Sequence, residues 1–337
     1  MPQAVGTGGS DKARPARGWL AWLTRLLGLA LLAVLLARLD LAQIGATLRD
    51  ADPLLIGLAL AGVLPLILVK TVRWQGILRA QGLQMGLWHA FLAYFGSLFI
   101  GFLTPGRLGE FVKALHVSRD CRVSVAAGFS SVLADRLFDL YALLIVGGLA
   151  LPALAVGSGG LLAYGGVVLA LTVPLILFLN DATWPHIRAL GLRLGRVGEK
   201  LFGEGSLSED IRAGLAGLTP RRTLGAAALT ALGYAIYYGQ CYLLALALQL
   251  PVGLGPVTFA VALGSLVTLI PVSISGLGTR EATMIAYLSA YGVAAEAAIS
   301  FSLLVFVTFY IAGGLTGALA WVIRPMPLSE LRRGRPG

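Results

Sequence analysis

Phe102–Leu115 reads FLTPGRLGEFVKAL, and Leu269–Met284 reads LIPVSISGLGTREATM. Each stretch leaves an apolar run, passes a Pro/Gly break, meets an Arg and a Glu, and resumes an apolar or amphipathic helix. In a water-soluble protein this is an ordinary turn. Within lipid the freed backbone groups and the charges need protein or water around them, so a break of this kind is costly unless it is used.

The rest of the chain makes lipid the relevant solvent. Of 337 residues, 57% are hydrophobic and 12% charged, about half the charge fraction of a soluble domain. The long apolar runs point to helices rather than a barrel. The net charge of +10 does not indicate nucleic acid, because the basic residues are spread over short loops between apolar spans, where they set topology. Cys121 and Cys241 are too far apart in sequence to read as a disulfide framework or a metal site.

Residues 1–18 read as a disordered basic tail and 325–337 as a second tail, with the membrane domain at 19–324. Crossings are expected at Trp19–Ala37, at 53–69, at 136–156 behind a polar-marked segment, at 161–179, at 224–250 and at 297–323. Lys70, Arg73 and Trp74 read as a basic and aromatic interfacial border after the second span. The segment 180–223 carries seven Lys/Arg, and its IRALGLRLGRVGEKLF sets apolar against basic positions at helical spacing, the pattern of a helix lying on an anionic leaflet.

Lys and Arg are absent from 150–160 and 250–257, which assigns those turns to the outside and both termini to the cytoplasm. Were every apolar run a crossing, Arg107, Lys113, Arg119 and Arg122 would land outside. The conflict disappears if 87–122 is a re-entrant hairpin entering from the cytoplasm and 257–291 one entering from outside. The expected fold is an all-α polytopic membrane protein of about six full spans plus two re-entrant helical hairpins, arranged as an inverted repeat of half-units at about 53–156 and 224–323.

Chemistry is expected at the breaks. Pro105, Gly106 and Gly109 free the backbone of the first; Pro271, Gly276 and Gly278 do so in the second. A helix restarting near Arg107 would aim N–H groups into the break, favouring an anion. Arg107 could grip a phosphate or carboxylate, with Glu110 and Lys113 following at helical spacing. Ser273, Ser275, Thr279, Arg280 and Glu281 offer hydroxyls and a charge pair in the second motif, where Thr279 or Ser275 alternatively serves as a helix cap. Asp135 and Asp139 lie on one helix face with Arg136 between them. That spacing could hold a divalent cation, but a salt-bridge pivot for Arg107, Lys113 or Arg280 is the expectation, since buried charges pair. No metal, cofactor or catalytic motif is assigned.

Lys70, Arg73 and Trp74, TPGRLGEFVKA, DRLFDL and PVSISGLGTREA, in that order, resemble the flippase-like transmembrane domain of lysylphosphatidylglycerol synthases and its stand-alone relatives, from about Leu20 to Arg324. Asp135-Arg136 stands where that family usually has Glu-Arg. Only a short tail follows the last span, so the resemblance implies a stand-alone member without the aminoacyl-transferase domain. It further implies translocation of an anionic or polyprenyl/isoprenoid-type lipid across the bacterial inner membrane, not catalysis. On this reading Arg107 and Arg280 bind the head group from opposite sides, and Glu110, Glu281, Asp135 and Asp139 hold them when the site is empty. The alternatives are a membrane-embedded lipid or phosphate transferase using Asp135 and Asp139 with a divalent metal, and a non-catalytic partner subunit. The expected partners are a membrane lipid and an anionic leaflet, with room for a homo-oligomer.

Overall fold

The computed structural model describes residues 33–34, 37–151, 158–203, 206–269 and 276–324, and only the backbone of 102, 103, 105–107, 158 and 200. The first predicted span, both tails, Pro271, Ser273 and Ser275 lie outside the described residues.

Every described element is helical. Helix α1 (Leu41–Arg49) starts at Asp40, whose carboxylate accepts from the Ala42 N–H at 2.8 Å. Asp52 caps α2 (Pro53–Ala61) in the same way, with proline in the first turn where its missing N–H costs nothing. α2 runs into α3 (Val63–Ala80), making one apolar rod over Pro53–Ala80. α4 (Leu87–Leu103) then ends at the first break, where a 3₁₀ segment (Pro105–Val112) leads into the short α5 (Lys113–Cys121). Ser124 caps α6 (Val125–Ala150). α7 (Ser158–Leu179) is followed by three short helices, α8 (Trp184–Leu192), α9 (Arg196–Phe202) and α10 (Leu207–Ala216). The second half contains α11 (Pro220–Ala247), α12 (Leu254–Leu269), α13 (Thr279–Ser289), α14 (Ala295–Phe306), a π-helical turn (Val307–Ala312) and α15 (Gly313–Ile323).

Length sorts these helices. The rods 53–80, 159–179 and 295–323 are long and apolar enough to cross a membrane. α6 and α11, with 26 and 28 residues, are about 39 and 42 Å long, also beyond a hydrocarbon core of about 30 Å. By contrast α4 and α12, with 17 and 16 residues, reach only about 25 Å. The helices that return from their breaks are shorter still, 9 and 11 residues. α12 and α13 fold onto each other, and the 3₁₀ segment folds back on α4. Two hairpins of short limbs therefore sit among full-length rods.

The packing is symmetric under exchange of the halves. α3 pairs with α11, α4 with α15 and α12 with α6. Hydrogen bonds give the sense of the first pairing. Asp52 N–H donates to the Ala247 carbonyl at 3.0 Å, Gln240 Nε2 to Ala59 at 2.6 Å, Arg73 to Thr230 at 3.0 Å and Arg222 to the Ala80 carbonyl at 3.0 Å. As one number rises the other falls, so the leading helices of the two repeats are antiparallel and the repeats are inverted. Tyr287, Phe301 and Leu244 pack the interior of one half, Trp74, Tyr94 and Leu78 that of the other. Leu54, Leu58, Leu162, Leu169, Leu315 and Val322 face outward along the rods, as an apolar solvent permits.

Two expectations change. The stretch 125–150 is one unbroken helix, not a polar segment followed by a span, because the charges that suggested the division are neutralised by partners from neighbouring helices. The amphipathic stretch within 180–223 is not one helix either: it turns at Gly195, whose φ is 64°, and divides into α8 and α9.

Candidate functional site

In α3, Lys70 and Arg73 lie three residues apart and so share a face; in α6, Asp135 and Asp139 are one turn apart. The packing brings the two faces together. Arg73 donates through Nε and Nη2 to Asp135 Oδ1 at 2.9 and 2.7 Å, and through Nη1 to Asp139 Oδ1 at 2.8 Å. Lys70 Nζ lies 3.2 Å from Asp139. From α5, Lys113 reaches Asp135 Oδ2 at 2.7 Å with Nζ 4.0 Å from the centre of the Tyr94 ring and 4.9 Å from that of Trp74. Arg136 joins Glu110 of the 3₁₀ segment at 2.9 Å, Asp139 at 3.0 Å, Asp135 at 3.2 Å and the Tyr94 hydroxyl at 3.0 Å.

Four cations thus meet three carboxylates, with Arg73, Lys113 and Asp135 at 0–1% exposure. A charged cluster so deep persists only because each member is paired with an opposite charge. It corrects the reading of Lys70, Arg73 and Trp74 as an interfacial border: the helix continues to Ala80, so these residues lie within it, and Arg73 and Trp74 are buried. Asp135 does act as a salt-bridge pivot for Lys113, one of the three residues named for that role; the Arg107 side chain lies outside the described ones. Arg280 reaches neither Asp135 nor Asp139. A divalent metal between these carboxylates would have to displace Lys70, Arg73, Lys113 and Arg136.

At the first break, Thr104 takes the capping position. Its hydroxyl accepts from the Gly109 N–H at 2.7 Å. Gly109 itself sits so close to α4 that a Cβ there would lie 2.4 Å from the Ile100 carbonyl oxygen. The break is therefore a tight fold-back, and it delivers Glu110 and Lys113 into the cluster. Pro105, Gly106 and Arg107 form its first turn as backbone.

The second motif is built differently. Gly276 and Gly278 have φ of 77° and 83°, which glycine adopts without strain. Glu281 reaches back to the Gly278 N–H at 2.6 Å, so it closes the start of α13; the Thr279 hydroxyl instead donates to the Gly276 carbonyl at 3.1 Å. The other Glu281 oxygen pairs with Arg280 Nη2 and accepts from Ser302 at 3.1 Å. Arg280 Nε donates to Ser302 Oγ at 3.0 Å, and its guanidinium lies 5.0 and 5.3 Å from the rings of Phe306 and Tyr310. Arg280 is 2% exposed, yet among the described residues Nη1 has no hydrogen-bond partner. The helix opposite it widens into its π turn at Val307–Ala312, a form frequent at functional sites.

Ser302, Thr230, Tyr94 and Tyr234, whose hydroxyl donates to the Asp139 carbonyl at 3.2 Å, are not legible as members of either cluster, since nothing local marks a serine, threonine or tyrosine in an apolar helix as a partner. Lys70 and Arg73 carried a signal: an i, i+3 cation pair complements an i, i+4 carboxylate pair.

A sequence profile described as the lysylphosphatidylglycerol synthase TM region matches residues 22–317. A UPF0104 membrane protein of Methanothermobacter thermautotrophicus is 29% identical over 118 residues, which are 34% of this chain and 35% of that protein. A UPF0104 membrane protein of Pyrococcus horikoshii is 27% identical over 196 residues, 56% of this chain and 58% of the relative. The glycosyltransferase AglD of Haloferax volcanii is 29% identical over 136 residues, 40% of this chain and 22% of AglD. In each case the match covers less than two thirds of the relative's length.

Proposed function

The chain belongs to the lysylphosphatidylglycerol synthase transmembrane family, and from that premise we propose that it moves an anionic or polyprenyl/isoprenoid-type envelope lipid across the inner membrane without modifying it. The observation that carries the reading is Arg280. A guanidinium buried in an apolar bundle with one nitrogen unclaimed costs about 1–3 kcal/mol for the missing partner, and an anionic oxygen is the group that would relieve it. Inverted repeats with discontinuous helices supply the setting, since such folds hold substrate between their halves.

In this mechanism the head group meets Arg280 from one half and Arg107 from the other, while the chains stay in lipid. Glu281 holds Arg280 between cycles; Asp135, Asp139 and Glu110 hold the cations of the first half. The termini and the basic segment 180–223 face the cytoplasm, following the loop charges. The transferase alternative draws no support from the relative named a glycosyltransferase, because the match covers 22% of that protein.

The test is reconstitution of the purified chain in vesicles containing an anionic lipid labelled on its head group, with chemical quenching of the outer leaflet as readout. Wild type is expected to expose inner-leaflet label, and Arg107→Ala to lose that activity while remaining monodisperse. Label protected in wild-type vesicles to the same extent as in protein-free ones, or full activity in Arg107→Ala, would overturn the assignment. A new lipid product by mass spectrometry would favour the transferase.

A further inference from the structure

Away from both clusters, the end of α7 and the helices α8–α10 border an open cavity of about 420 Å³ lined by Pro174, Phe178, Ile187, Phe202 and Ile211 among others, within the ~300–1,000 Å³ usual for small-ligand sites. We infer that this cavity seats one acyl chain of an anionic phospholipid, with the head group held by Arg188 and Arg212.

Two observations choose the occupant. The first is continuity with lipid. None of the apolar window of α7 is buried, and Val173, Ile176 and Leu177 are exposed just before the cavity. An apolar path along a lipid-facing helix therefore opens directly into it. The second is charge at the rim. Arg188 Nε donates to the Phe202 carbonyl at 2.9 Å, and Arg212 Nε donates to that of Phe178 at 3.2 Å. Both carbonyls belong to residues that line the cavity, so both guanidiniums are tied to the backbone of its wall. Their carboxylate partners sit toward solvent: Glu209 is 3.7 Å from Arg188, and Asp181, which pairs closely with Arg212, has a side chain 98% exposed. A phosphate can replace such partners at little cost, since exposed ion pairs contribute roughly 0–1 kcal/mol. Arg193 and Arg196 are exposed in the same lobe and add to the attraction for an anionic head group.

The seat is mechanically joined to the ion cluster. The Ile211 side chain lines the cavity, while its carbonyl accepts from Ser130 of α6 at 3.2 Å, and Asp210 accepts from Ser124 at 2.6 Å. α6 is the helix that carries Asp135 and Asp139. The seat does not depend on lipid translocation, and a chain that moves no lipid would still bind there.

Native mass spectrometry of the full chain, extracted from membranes with equal phosphatidylglycerol and phosphatidylcholine, tests it. Wild type is expected to retain one phosphatidylglycerol that Ile211→Trp loses, with Ile187→Trp as a second filling variant should the first fail to fold. Arg188→Gln with Arg212→Gln should cut retained phosphatidylglycerol at least about tenfold, the worth of one charge-assisted hydrogen bond, and leave phosphatidylcholine unchanged. Unaltered retention in both filling variants overturns the inference, as does a loss confined to the arginine variants, which would mark a diffuse basic surface. Displacement by soluble glycerophosphate, or a retained mass that is a second copy of the chain, also overturns it.

Discussion

In the first half Lys113, at the start of the helix that follows the break, meets Asp135 22 residues further on; in the second half Arg280, also at the start of that helix, meets Ser302 at the same separation of 22. The inverted repeat thus sets a cation against the next helix twice, with a carboxylate opposite it once and a hydroxyl once. Where the carboxylate stands, a network grows around it. Arg73, Lys70, Arg136 and Glu110 each meet an opposite charge there, although Arg136 Nε, like Arg280 Nη1, finds no hydrogen-bond partner among the described residues. Where the hydroxyl stands, Arg280 has, among the described residues, its neighbour Glu281 alone for charge, and Nη1 is left over. The difference teaches that one repeat spreads its buried charges over a network that ties helices together, while its counterpart leaves Arg280 with a single carboxylate partner among the described residues.

The largest expected effect comes from breaking the self-sufficient side. Asp135→Ala removes the carboxylate that Lys113 and Arg73 share and leaves both buried, which should cost about 3–5 kcal/mol and show as a large drop in thermal unfolding midpoint in detergent. A small drop would mean the network is not structural. Next come the breaks. Gly276→Ala would put a Cβ 2.1 Å from Thr268 at a positive φ, and Gly109→Ala one 2.4 Å from the Ile100 carbonyl oxygen. About 1–3 kcal/mol each is expected, as for overpacking elsewhere, and unequal losses on thermal unfolding would show that the two breaks are not equivalent. The smallest effect is Ser302→Ala, about 1 kcal/mol for hydrogen bonds lost to Arg280 and Glu281. A loss as large as that of Asp135→Ala would erase the contrast between the halves.

Much of the frame could be read before the coordinates. Loop charges and the two Pro/Gly breaks pointed to inverted hairpins, and the antiparallel pairing of α3 with α11 and the short limbs of α4 and α12 agree with that reading. Asp135 and Asp139 were recognised as a pivot because a buried carboxylate requires a cation. Which cations answered could not be read: Lys70 and Arg73 follow an apolar run and are followed by Trp74, the same local pattern as a membrane border, and only the continuation of the helix to Ala80 draws them inside. Ser302 was invisible for a different reason. A serine in an apolar helix usually bonds its own backbone, and its role here exists only because α13 lays Arg280 and Glu281 against it.

The most direct measurement is anionic-lipid translocation by Arg280→Ala in reconstituted vesicles, on protein shown by its unfolding midpoint to be folded. The account predicts a stable chain whose translocation falls to the level of protein-free vesicles. Translocation at the wild-type rate would contradict it.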